Sequence, residues 1–523
     1  MSNADIEKFR NEPVRSIAEP GVASAYATEL ARLRRAGPRT VAPIVGGRVR
    51  RGSGSARSTD PARPDDVVAT VATADAALAN EAVSAGERAF ATWRRSTPER
   101  RAAVLFEAAK LLRERRFHYD AMLTIEVGKN FAEAEGEIAE AIDFLEYYGR
   151  EALRYAHPAP LVAVPNETSA FVYEPLGVGI AIPPWNFPLA IAIGTVAAGL
   201  VTGNAMILKP SSESPAIAAA FTELLYEADL PQDVLAFLPG PGKSVGDALV
   251  GHSATRFVSF TGSKEVGLGI NELAARISGD QRWIKRIVAE MGGKDPIVVS
   301  ADADLDAAAA GIVGSAFGYS GQKCSACSRA IVEDAVYDEL LSRIVERTGR
   351  LTVGDPSDPG TDVGPMISCG ARDRAASFIP RSVVAGGRVV AGGGVPADAV
   401  GHLLEPTIVE GVKPEDELAR EEVFAPVLAI IRAQNFDAAL QIANDSPYGL
   451  TGSVYARDPE RLARAARELH VGNLYLNRGC TGALVGAHPF GGFGMSGTDS
   501  KAGGPDYLGL FLQGKSIATR VTG

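Results

Sequence analysis

Cysteine is scarce in this chain. Four thiols, Cys324, Cys327, Cys369 and Cys480, in 523 residues are too few for a disulfide framework, which points to a reducing compartment. Histidine is nearly as rare, and the six (His118, His157, His252, His402, His470, His488) show no pairing at metal-ligand spacing, so no metal site is expected. Positive charge is not in excess: 53 Lys and Arg against 63 Asp and Glu leave a net charge of −10, the wrong sign for a nucleic-acid surface. The Arg-rich stretch from Arg32 to Arg63 is broken by Pro and Gly without interleaved aromatics and reads as a solvated face. The opening MSNADIEKFRNEPVRS has no apolar core of the kind a secretory signal needs. One stretch, 175–208, carries no charge and on length alone could cross a membrane. Pro183, Pro184 and Pro188 interrupt it, and Gly177, Gly179, Gly194, Gly199 and Gly203 punctuate it, so it reads as a buried strand, a turn and a buried helix. Together these features predict a cytoplasmic protein with no nucleic-acid or membrane partner.

What is present is α/β patterning. Ser96-Thr97-Pro98-Glu99 offers an N-cap with proline in the first turn. The run after it sets Val104, Leu105, Ala108, Leu111 and Leu112 on one helical face. A second helix follows Gly128, so 75–153 reads as helical. Short apolar runs then alternate with helices: VGIAI, AMILK, VLAFL and RFVSF each precede a helical segment. Four such units predict a parallel sheet covered on both faces, as in dinucleotide-binding folds, with ligands at the carboxyl ends of the strands. After IVAEMGGKDPIVV a second α/β block begins, with strands RAIVE, VLAIIRA and GSVYA. The tail, YLGLFLQGKSIATRV, alternates like an edge strand and is expected to pair with another subunit.

Simple ligand motifs fail. Gly52-Ser53-Gly54 lacks the later glycine of a dinucleotide fingerprint, and the position five before Gly242-Lys243-Ser244 is Phe237, not the glycine of a phosphate loop. Two residues carry more. Cys324 sits in the polar, glycine-opened segment SGQKCSACSR beside Lys323, whose charge would favour a thiolate; a lone cysteine is more often a buried, inert residue. Cys327 makes a CxxC spacing without the strand-to-helix setting of a redox pair. Glu290, in IVAEMGGKD, ends an apolar strand beside two glycines, where a carboxylate can act as a base, although most glutamates simply face water.

Seven motifs in order change the balance: PWNFP at 184–188, LKPSSESP at 208–215, FTGSKEVG at 260–267, EMGGKD at 290–295, GQKCSA at 321–326, EEVFAPV at 421–427 and PFGGFGMSG at 489–497. Through them the chain resembles the aldehyde dehydrogenase superfamily over nearly its whole length. The resemblance implies an oxidoreductase with Cys324 as nucleophile, Glu290 as general base and Asn186 as amide donor to the oxyanion, joined by the Cys324 N–H. It implies NAD contacts from Ile182, Pro183, Pro184 and Trp185, from Lys209 at the adenosine ribose, and from Gly242. Gly262, Ser263 and Val266 would meet the pyrophosphate at a helix N-terminus. Glu422 and Phe424 would hold the nicotinamide ribose and ring. Many NAD-selective members carry Glu three residues after the lysine; Ser212 stands here, so NADP is expected to be accepted as well.

Within the superfamily, FRNEP, FGYSGQKCSACSR and NRGCTGALVGAHPFGGFGMSGTDSKAGGPDYL are similar to the L-glutamate γ-semialdehyde dehydrogenases. That similarity implies a carboxylate nest at Ser325, Gly482 and Ala483, flanked by Phe187 and Phe490, and oxidation of the semialdehyde to glutamate in proline catabolism. Glu133, Glu135, Glu137 and Glu140 are candidate partners for the substrate ammonium. Two alternatives are a dehydrogenase of another carboxylated semialdehyde, such as succinate semialdehyde, and a non-catalytic scaffold on the same fold. The implied architecture is a Rossmann-like NAD-binding domain (1–157 and 175–290, with an N-terminal helical region), an α/β catalytic domain (291–474) and a β-flap oligomerisation element (158–174 and 499–523). A homo-oligomer follows, dimeric or a dimer-based hexamer.

Overall fold

The computed structural model describes residues 8–157, 160–396 and 399–521; residues 158–159 and 522–523 of the expected flap, and the first seven residues, lie outside it. Two seven-stranded sheets dominate. The first runs Arg286–Glu290, Thr255–Thr261, Val178–Ile182, Ala205–Leu208, Leu235–Phe237, Ile44–Val45 and Arg48–Val49. Its first five strands are parallel and the last two form an antiparallel hairpin. Val178–Ile182 and Ala205–Leu208 are almost wholly buried, which is why both read as unbroken apolar runs. The chain winds outward from Val178–Ile182 on one side, then returns to its other side with Thr255–Thr261. The strand order therefore reverses between these two, which opens a crevice at their carboxyl ends.

The second sheet runs Arg388–Ala391, Thr407–Glu410, Val427–Ala433, Cys327–Glu333, Asp295–Val299, Thr451–Tyr455 and Asn473–Leu476. It is parallel apart from its first strand. Helices cover both sheets, and the helix Ala190–Val201 is buried along nearly its whole length. No described helix is long and apolar enough to cross a membrane.

Several expectations need correction. Residues 39–73 hold a three-stranded sheet, Arg39–Val41, Arg63–Thr73 and Gly54–Asp60, that the helical reading of the N-terminal region missed; two of its strands, RTV and GSARSTD, are short or polar and give no alternation to follow. The 75–153 segment breaks at Arg115 into separate helices, Pro98–Glu114 and Arg116–Val127. The tail strand Leu512–Arg520 pairs with Glu167–Pro175 of its own chain. Within the expected 499–523 flap, Tyr507, Leu508 and Phe511 are buried in the largest core. The Arg-rich opening is solvated only in part: Arg32, Arg35, Arg48, Arg51 and Arg57 are exposed, whereas Arg34, Arg39, Arg50 and Arg63 are half-buried. Several of these are in ion pairs, such as Arg39 with Glu223 and Arg50 with Glu81, and Val41 and Val45 are buried in the core.

Candidate active site

Two cavities meet at Cys324. The larger, about 1120 Å³, occupies the crevice at the carboxyl ends of the first sheet. The smaller, about 330 Å³, lies under the long helix Phe131–Tyr155. Cys324 lines both, with Ile191, Thr261 and Met291. A side chain at such a junction can touch two ligands at once.

Every residue expected to hold the cofactor lines the larger cavity: Ile182, Pro183, Pro184 and Trp185 where strand Val178–Ile182 ends, then Lys209, Ser212, Gly242, Gly262, Ser263, Val266, Glu422 and Phe424. Lys209 is buried, with only the Pro210 carbonyl at 3.1 Å as its hydrogen-bond partner among the described residues, and burial lowers it to about 8. An ammonium so poorly satisfied is poised for further acceptors. Ser263 caps the helix Lys264–Ala275, its Oγ accepting from the Val266 N–H, so free helix N–H groups face the cavity where anions are favoured. Phe424 has φ of 57° and stands edge-on to Trp185, with centroids 5.7 Å apart. A non-glycine residue in that conformation is held against its preference by its surroundings. The Glu422 carboxylate accepts from the Gly293 N–H at 3.2 Å and is raised to about 7 by burial.

Ser212 is exposed on the cavity wall, but the next residue, Glu213, also lines it. The carboxylate missing at one position is supplied by its neighbour, which motif matching by fixed spacing passed over. Gly242–Gly246 reads Gly-Lys-Ser-Val-Gly, the spacing of a serine-nucleophile elbow. It forms one π turn, Ser244 is exposed, and among the described residues no histidine lines either cavity.

The smaller cavity holds Phe187, Ser325, Gly482, Ala483 and Phe490, with Glu290. Gly482 has φ of 78°, a conformation that favours glycine. The Arg478 guanidinium donates to the carbonyls of Thr481 and Gly482 at 2.7 and 3.0 Å. Among the described residues, the N–H groups of Gly482 and Ala483 donate to nothing, so the loop offers free donors. The Ser325 carbonyl is held from behind by the Cys480 thiol at 3.3 Å. The start of the chain also reaches this loop: the Asn11 amide donates to Asp143 at 2.7 Å and to the Val485 carbonyl at 2.9 Å. That support was invisible in FRNEP as a string.

The four glutamates are sorted by their partners. Glu133 pairs with Lys323 at 2.7 Å, Glu135 with Arg116, and Glu137 with Lys129 at 2.7 Å. Glu133, Glu137 and Glu140 all line the small cavity, and of the three only Glu140 has no hydrogen bond or ion pair among the described residues. Burial, reinforced by Glu137, raises it to about 8. The Glu133 pairing also overturns the expectation that Lys323 activates the thiol. Burial pushes Cys324 well above the usual thiol range, and the carboxylates of Asp295, Glu422 and Glu290 push it the same way.

Around that thiol stand two donors and one acceptor. Asn186, 4% exposed, donates its amide to the Gln322 carbonyl at 2.9 Å. The Cys324 N–H has no acceptor among the described residues. Glu290, last residue of its strand, accepts from Ser500 Oγ at 2.6 Å and from the Gly492 N–H at 3.3 Å. Burial outweighs both and raises it to about 8.

Comparison with known proteins bears on this arrangement. The aldehyde dehydrogenase family matches residues 49–517. The chain is 48% identical over 513 residues to a 1-pyrroline-5-carboxylate dehydrogenase of Geobacillus kaustophilus, covering 98% of this chain and 99% of that one. It is 50% identical over 461 residues to the Bacillus cytotoxicus protein of the same name, covering 88% and 89%. A solved structure of Thermus 1-pyrroline-5-carboxylate dehydrogenase with bound NAD superposes with a TM-score of 0.96 at 44% identity, over 99% of this chain and all of that one.

Proposed function

The chain belongs to the aldehyde dehydrogenase family, and we propose that it oxidises L-glutamate γ-semialdehyde, the open form of 1-pyrroline-5-carboxylate, to L-glutamate with NAD, the second oxidative step of proline catabolism. The observation that carries this reading is the junction at Cys324, with a cofactor-sized crevice on one side and a small cavity with free backbone donors on the other.

The substrate carboxylate is received by the Ser325 hydroxyl and the N–H groups of Gly482 and Ala483, a nest that holds an anion without burying a cation. Its aliphatic stretch lies between Phe187 and Phe490, and Glu140 receives the ammonium. That orientation sets the aldehyde carbon at Cys324. The thiol gives up its proton to solvent water as its sulfur adds to the carbon, and the oxyanion is held by the Asn186 amide and the Cys324 N–H. NAD, when bound, supplies the hydride acceptor that converts the thiohemiacetal into a thioester. The residues of the larger cavity fit such a dinucleotide: a half-satisfied ammonium at Lys209, a helix N-terminus at Ser263 and an aromatic edge at Phe424. Glu290 then takes a proton from water as the water's oxygen attacks the thioester, releasing glutamate and the Cys324 thiol.

The hydroxyl-and-amide nest favours this substrate over succinate semialdehyde, whose carboxylate would more commonly be met by an arginine. We place the NAD-binding domain at 1–157 and 175–290 and the catalytic domain at 291–474. The ribbon of Glu167–Pro175 and Leu512–Arg520 has Tyr173 and Ile517 exposed, which supports a homo-oligomer built from dimers. Replacing Cys324 with alanine tests the mechanism: NAD reduction with pyrroline-5-carboxylate should vanish while NAD binding persists, and retained turnover would refute it.

A further inference from the structure

Behind the small cavity lies a charge that the reaction above does not use. Lys129 is fully buried, yet among the described residues its ammonium makes no hydrogen bond of ordinary geometry. It stands 2.7 Å from Glu137 Oε2, 3.7 Å from the centroid of the Phe187 ring and 4.6 Å from that of Tyr319. Phe187 lines the cavity and Lys129 does not, so the ammonium covers the ring from the far side. Glu137 faces the other way with its second oxygen. Oε1 accepts the N–H groups of Leu189 at 2.8 Å and Ala190 at 3.0 Å, where the helix Ala190–Val201 begins. Phe187 and Asn186 sit immediately before that start, and the Phe187 carbonyl receives the Ile191 N–H at 3.2 Å.

Burying an ion pair rarely improves stability over apolar residues of similar volume, so its presence calls for a positional reason. Here one exists. A desolvated ammonium over a ring face is a strong, directional contact, and a carboxylate on paired backbone N–H groups fixes a helix start. Together they hold Phe187 at one end and the Leu189 and Ala190 backbone at the other, the short turn that directly follows Asn186.

We propose that the buried Lys129–Glu137 pair is the positioning element of the aldehyde site, fixing the Phe187 wall from behind and the turn that presents the Asn186 amide. This rests on the reading of Phe187 and Asn186 given above. Neither Lys129 nor Glu137 touches the reacting atoms; they act through Phe187 and the backbone.

The test is a double-mutant cycle on kcat/KM for NAD reduction with pyrroline-5-carboxylate, using Lys129→Met, Phe187→Leu and both together. Lys129→Met should lower kcat/KM about tenfold, the scale of a desolvated cation–π contact, through a raised KM as well as a lowered kcat. In the Phe187→Leu background the same change should cost less than about twofold, because the ring it acts through is gone. Two results overturn the proposal while leaving the catalytic reading intact: no effect of Lys129→Met, or the same loss in both backgrounds. If Phe187→Leu alone changes nothing, the reading of Phe187 as cavity wall fails and the proposal fails with it. Should Lys129→Met not fold, Glu137→Gln runs through the same cycle, keeping an acceptor for the Leu189 and Ala190 N–H groups while removing the charge.

Discussion

Removing the hydroxyl of Ser500 should move the enzyme's pH profile in a calculable direction. Glu290 is raised from 4.5 to about 8 by burial, and two hydrogen bonds oppose that rise, the stronger being Ser500 Oγ at 2.6 Å. Asp499 raises it further, and Lys501 lowers it. A base acts only when deprotonated, so the water-activated step should rise with pH through about 8 and level off above it. A hydrogen bond to a charged group is worth about 1.5–3 kcal/mol, and a tenfold change in a protonation equilibrium about 1.4 kcal/mol. Ser500→Ala removes a bond that favours the carboxylate, so the rising limb should move up by roughly 1–2 on the pH scale. At neutral pH the steady-state rate should fall about tenfold or more, in proportion to the lost fraction of deprotonated base. Thioester formation does not involve Glu290 in this mechanism, so the first turnover of NAD reduction should keep its rate. Stopped-flow absorbance across the pH range separates the burst from the steady state. An unmoved limb, or one that moves to lower pH, is incompatible with a Ser500 hydroxyl that stabilises the ionised base.

Three further outcomes follow from the same geometry. Glu290→Gln should lower steady-state turnover by about 10²–10⁴-fold yet stabilise the fold at alkaline pH. A carboxyl raised from 4.5 to about 8 destabilises the native state increasingly across that interval, by roughly 3–5 kcal/mol when complete; thermal melts at mildly alkaline and at acidic pH, with the gain confined to the former, check this. Gly482→Val places a branched residue where φ is 78° and should raise KM for the carboxylated substrate by about tenfold or more, with little change for a simple alkanal; equal losses for both would count against the nest. With Ser212 on the cavity wall, NADP should support measurable turnover below that with NAD, and Glu213→Ala should raise it by about tenfold by removing the remaining carboxylate; no detectable NADP turnover in either protein would refute the role given to this corner.

Much of this site was legible because motifs mark backbone ends. PWNF follows one parallel strand, EMGGKD ends another, and FTGS ends the strand between them; the strand pattern alone pointed to these carboxyl ends, and the roles of Asn186 and Ser263 there came from the family resemblance. Residues whose role depends on a partner far along the chain were not legible. Lys323 seemed placed to activate its neighbour Cys324, but Glu133, 190 residues away, holds it at 2.7 Å. The acidic helix could not be resolved into roles until Arg116, Lys129 and Lys323 claimed three of its carboxylates and left Glu140 facing the cavity. Ser500, in a loop of small residues, gave no signal of its contact with Glu290. The tail strand alternated as an edge strand should, but alternation does not name a partner, and the partner is in the same chain.

Assignment to proline catabolism turns on whether the nest at Ser325, Gly482 and Ala483 selects a carboxylated semialdehyde for Cys324. Reduced-nicotinamide formation with NAD and three substrates in parallel decides it: pyrroline-5-carboxylate, succinate semialdehyde and a simple alkanal. A clear preference in kcat/KM for pyrroline-5-carboxylate is predicted. Equal or better turnover of either other substrate would leave the cysteine mechanism standing and contradict the assignment.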